Sequence, residues 1–151
     1  MAQNNRLKTL LEKQDAADRA HVAELARQAA AESLARASRT RIENEWSHLC
    51  RVLKQTIATA NDAMTGGRKL YVQHWKPPAG SAGVADAILM FEDNYPDYVQ
   101  RKCVASVDRD GMVSVSMNES MPQSRFYRLN ISTATIEQIE GIVYDFMELN
   151  V

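Results

Sequence analysis

The first glycine in this 151-residue chain is Gly66 and the first proline is Pro77, so everything before Gly66 lacks a strong helix breaker. That absence predicts helix through at least 50 of the first 65 residues. Between Ala16 and Ala37 ten positions are alanine, the best helix former but one with little area to bury. This part is therefore expected to be an arm rather than a core element. Larger apolar residues occur at Leu7, Leu10, Leu11, Val22, Leu25 and Leu34, and the stretch from Gln14 to His21 interrupts any heptad seam.

Thr40 and Glu43 have the spacing of a capping box, which leaves open one helix or a helix pair broken near Ser38 to Thr40. Beyond that point Ile42, Trp46, Leu49, Leu53, Ile57, Ala60 and Met64 recur at steps of three and four, the stripe of a helix pressed on a core. Gly66-Gly67 supplies its stop.

After Gly67 the period shifts towards two, predicting strands at 69–75, 84–91, 98–107, 112–117 and 125–131. The links between them are short and rich in Pro, Gly, Asn and Asp, including the hairpin signal Asp108-Arg109-Asp110-Gly111, which favours an antiparallel meander. Capping hydroxyls at Ser132 to Thr135 precede a closing amphipathic stripe of Ile136, Ile139, Val143, Phe146 and Met147. The expected fold class is α+β: a long N-terminal helix or helix pair, a five-stranded antiparallel meander sheet and a C-terminal helix in two-layer packing. Residues 1–39 are assigned to a helical arm and 40–151 to the α+β domain.

Net charge is −1, and neither half is strongly basic: ten Lys/Arg face eight Asp/Glu up to residue 65, and eight face eleven beyond it. This balance argues against nucleic acid as a partner and against an anionic membrane surface. No stretch approaches a membrane span or a signal-peptide core, and two cysteines make no disulfide framework, so a reducing cytoplasmic location is expected. Cys50 and Cys103 are read as small apolar residues in a buried helix and a buried strand.

Catalytic motifs are sparse. The histidines are His21, His48 and His74; His48 and Cys50 lie two apart on a helix and point in different directions, and His74 reads as a strand residue. Gly66-Gly67-Arg68-Lys69 follows a helix and precedes a strand, the reverse of a phosphate loop. The acidic group Glu92, Asp93, Asn94 and Asp97 lacks calcium-loop spacing and reads as a solvated loop. Arg36, Arg39 and Arg41 are followed at once by Glu43 and Glu45, the mark of a surface helix face. No catalytic residue, metal ligand or cofactor is assigned.

Alternation places Tyr71, Trp75, Ile88, Met90, Lys102, Val104, Phe126 and Arg128 on the sheet face opposite the core, and Tyr95 and Tyr98 flank a turn. Tyr71, Trp75, Tyr95, Tyr98, Phe126 and Arg128 are the expected partner-binding residues, because aromatic residues and Arg are enriched in contact surfaces. The functional expectation is a non-enzymatic protein–protein interaction or regulatory protein, homodimeric, with a further protein partner left unidentified. The alternative is a domain holding a small apolar ligand between sheet and helix.

Overall fold

The computed structural model describes residues 2–77, 83–92, 101–119 and 121–150. The element order is α1 (Ala2–Ala63), β1 (Lys69–Trp75), β2 (Gly83–Glu92), β3 (Lys102–Asp108), β4 (Met112–Met117), β5 (Arg125–Asn130) and α2 (Ile136–Leu149). The fold is α+β. Chain contacts divide it into two units, Met1–Ser38 and Arg39–Val151.

In the first unit the described residues form one helix, and residues 2–37 are exposed throughout. Its apolar side chains Leu7, Leu10, Leu11, Val22, Leu25 and Leu34 are 51–73% accessible, so helix propensity and local pairs such as Arg27 with Glu24 maintain it rather than burial.

Of the two arrangements left open, the single long helix is the one found. α1 is continuous for 62 residues, and Thr40-x-x-Glu43 caps nothing. The Glu43 carboxylate accepts from Arg39 Nε at 3.0 Å, one turn back, instead of reaching a backbone amide. With no glycine or proline to interrupt it, the i to i−4 ladder simply runs on.

The second unit has two layers. The five strands pair antiparallel in the order β1-β2-β3-β4-β5, an uninterrupted meander. One sheet face carries Leu70, Leu89, Phe91, Cys103, Val107, Val113, Val115 and Met117, and these are buried in one cluster with Ile42, Trp46, Leu49, Leu53 and Ile57 of α1 and Ile139, Val143 and Phe146 of α2. The expected stripes on both helices thus meet the expected face of the sheet. Ile136 departs from its stripe: it is 55% exposed as the first residue of α2, and Met147 is only partly buried.

Strand boundaries follow the alternation to within a residue or so, apart from the start of β3. β3 begins at Lys102, and the segment 98–100 of the expected strand lies outside the described residues. β5 stops at Asn130, leaving Ile131 buried just after it. In β2 the register shifts between Gly83 and Ala85, a bulge that breaks the period of two and leaves Val84 buried.

The connections are fixed by short-range hydrogen bonds. After Gly67, whose φ of +81° takes the left-handed region, Asn61 closes the link from α1 to β1: its Oδ1 accepts the Leu70 amide at 2.7 Å and its Nδ2 donates to the Leu70 carbonyl at 2.9 Å. At the β3–β4 hairpin, Asp108 Oδ1 accepts the amides of Asp110 and Met112, and Gly111 has φ +79°. A Cβ on Gly111 would stand 3.0 Å from Ile131 Cγ2, so glycine is required twice over. α2 starts with a capping box, in which Thr135 Oγ1 accepts the Gln138 amide and Gln138 Oε1 accepts the Thr135 amide.

Candidate functional site

The strand register sets the outer sheet face residue by residue. One row across it is Trp75–Asp86–Ser106–Ser114–Arg128, a second is Gln73–Ile88–Val104–Ser116–Phe126, and a third holds Tyr71, Met90 and Lys102. All eight residues assigned to this face by alternation therefore share it. The face is less uniformly apolar than those eight suggest, because Gln73, Asp86, Ser106, Ser114 and Ser116 stand among them.

Trp75 is 59% exposed at the β1 edge and Phe126 is 65% exposed on β5 at the other edge. Tyr71 and Met90 are half-buried, with the Tyr71 hydroxyl donating to Met90 Sδ at 3.8 Å. Between β3 and β5 lies a shallow depression of about 440 Å³, lined by Val104, Ser106, Ser114, Ser116, Phe126 and Arg128 among others. Neither Asp86 nor Arg128 has an ion pair or hydrogen-bond partner among the described residues. Tyr95 and Tyr98 lie outside the described residues.

A second concavity was not foreseen. Between α1 and the β1–β2 edge runs a groove of about 550 Å³, with Trp46, Cys50 and Lys54 from α1 and His74, Trp75 and Asp86 from the strands in its walls. Here Cys50 Sγ lies 3.8 Å from His74 Nδ1. Cys50 is only half-buried, not the fully buried core residue expected, and the partner of its thiol is His74 rather than the nearby His48. The two are 24 residues apart in the chain, and only the docking of β1 against α1 joins them.

Thiol and imidazole together suggest nucleophilic chemistry, which needs a thiolate. Burial pushes the Cys50 thiol up to about 11, against a smaller opposing pull from the Lys54 ammonium. The group is thus a neutral thiol near pH 7 and no activated nucleophile. Cys103, buried on the core face of β3, is pushed up to about 12 by burial alone. No group of three or more His, Cys, Asp or Glu among the described residues is arranged to hold a metal ion.

Tyr127 is also displaced upwards, first by its 2.7 Å hydrogen bond to Asp145 Oδ2 and then by partial burial; Arg125, 3.7 Å from the other carboxylate oxygen, opposes this. This cluster joins β5 to α2 and is a structural fastening. The gap between sheet and helices, lined by Leu49, Leu53, Leu89, Cys103, Val115, Ile142 and their neighbours, holds about 40 Å³. That is room for about a water or a methyl group, against roughly 300–1,000 Å³ in ligand pockets.

No helix among the described residues is long and apolar enough to cross a membrane. Comparison with protein-family models, with curated proteins and with solved structures finds no match to this chain.

Proposed function

We propose that the protein is a non-enzymatic interaction protein that works as a homodimer, with the outer sheet face as the contact between copies. The observation that carries this reading is the row Trp75–Asp86–Ser106–Ser114–Arg128, which has an aromatic ring and a free carboxylate at one end and a free guanidinium at the other.

A two-fold axis lying between two such faces and parallel to β3 reverses the strand order while leaving each row level with itself. It sets β1 and β2 of one copy over β5 and β4 of the other. Arg128 then meets Trp75 and Asp86 of the second copy, twice per dimer, while Val104 and Ser106 meet their own counterparts at the centre. Cation–π attraction and a charge-assisted hydrogen bond would reinforce burial of Ile88, Val104 and Phe126. Lys102 lies in the end row, at the rim, where solvent screens its encounter with its counterpart. The exposed leucines of the α1 arm offer a further contact surface of the same apolar kind. The alternative, a small apolar ligand held between the sheet face and the helices, is less favoured because the gap there is only about 40 Å³.

Charge exchange tests the pairing. Arg128→Glu should weaken self-association about tenfold or more by leaving Asp86 and the new carboxylate facing each other. Adding Asp86→Arg should restore most of the lost affinity. Sedimentation velocity over a concentration series reads both, and a double variant as weak as the single one would remove this alignment of the two faces.

A further inference from the structure

We propose that the groove between α1 and the β1–β2 edge is a binding site for a small planar aromatic anion, of the carboxylate or sulfonate class. This site goes beyond the dimer contact but borders it, sharing Trp75 and Asp86 at the β1–β2 edge. Its volume of about 550 Å³ falls within the range of small-molecule sites, and the interior gap of 40 Å³ does not.

The walls combine two kinds of group. Trp46, buried to 6% exposure, forms apolar floor together with Cys50, Val84 and Ala85, and Trp75 at 59% exposure offers an open ring face at the edge. Indole faces suit an aromatic ring in offset or edge-on stacking. Around them stand Arg51, Lys54 and Lys76, none of which has an ion pair or hydrogen-bond partner among the described residues.

The groove's own acids are Glu43 and Asp86, and Glu43 is already engaged by Arg39 at 3.0 Å. Within the chain, three cations without a partner among the described residues therefore line the groove beside one such carboxylate, Asp86. The neutral Cys50 thiol adds no competing negative charge, and His74 adds a ring nitrogen that donates in one tautomer. An apolar ring bearing one negative charge satisfies both parts, whereas a neutral ring would leave the cations unused and an aliphatic anion would leave the indoles bare.

The only two tryptophans of the chain both line this groove, so intrinsic fluorescence reports on it directly. The probe is anilinonaphthalene sulfonate, compared with neutral phenylnaphthylamine, at fixed protein concentration. Saturable tryptophan quenching with one site per chain is expected for the anion. Arg51→Glu with Lys54→Glu should weaken anion binding at least tenfold and change neutral-probe binding less than twofold. Arg51→Gln with Lys54→Gln should give an intermediate loss and keeps the test readable should charge reversal disturb α1. Lys8→Glu with Lys13→Glu, an equal charge change in the arm, should leave binding unchanged. Equal affinity for the neutral probe, quenching that does not saturate, or full anion affinity in both groove variants would overturn the proposal.

Discussion

Phe146→Ala is expected to destabilise the α+β unit by about 3–5 kcal/mol, the usual range for deleting a buried aromatic side chain. Phe146 has no exposed surface and is the largest fully buried side chain. Its ring stacks on Phe91 at 5.8 Å between centroids with an 18° interplanar angle, and the Arg68 guanidinium lies 4.1 Å from the other ring's centre. Its carbonyl accepts Asn150 Nδ2 at 2.9 Å, Asn150 Oδ1 accepts from the buried Asn118 side chain, and the Asn150 carbonyl accepts from Arg68.

The substitution thus opens a cavity where α2, β2 and the buried Asn118–Asn150 pair meet. Denaturant unfolding should be read by tryptophan emission, because Trp46 belongs to this core while helical circular dichroism also counts the arm. Tyr144→Ala, on the exposed side of α2, should change stability by no more than about 0.5 kcal/mol. A loss below about 1 kcal/mol for Phe146→Ala would mean that α2 does not lie on the sheet.

Trp75→Glu combined with Phe126→Glu should convert the dimer to monomer with the core intact. Both side chains are more than half exposed, so removing them forfeits little intramolecular burial. In the dimer, however, each copy would bring two carboxylates into the contact: the one at 126 would be buried against Gln73 with no cation, and the one at 75 would have to share a single Arg128 with Asp86. Desolvating an unpaired carboxylate costs several kcal/mol, so a dissociation constant raised at least about a hundredfold is expected. The remaining Trp46 should still report a cooperative transition at nearly the native midpoint, compared at equal chain concentration. A monomer with a collapsed midpoint would instead mark these residues as part of the fold.

The layers of this fold were legible because each element satisfies its own periodicity: three- and four-residue steps from Ile42 to Ile57, alternation from Cys103 to Val107 and Val113 to Met117, and glycine or Asp-Gly where the chain turns. Local signals failed where a second element decides the outcome. Thr40 and Glu43 match a cap, but a cap needs a helix that actually starts there, and Arg39 competes for the carboxylate. The bulge at Gly83–Ala85 depends on pairing with β3.

The outer face was recognised through its apolar members. Its serines and Asp86 obey the same period of two but carry no apolar signal to mark the face as a contact surface. The groove was invisible for a different reason. Cys50, Lys54, His74 and Asp86 lie on three elements, and no spacing rule relates a helix residue to a strand residue across an intervening turn.

Sedimentation equilibrium of the unaltered chain over a wide concentration range tests the homodimer most directly. A mass of twice the 17.0 kDa chain is expected at high concentration, falling towards one chain on dilution, with a single-chain mass throughout for Trp75→Glu with Phe126→Glu. A mass of 17.0 kDa for the unaltered chain at every concentration would contradict it, as would a dimer whose mass the two substitutions leave unchanged.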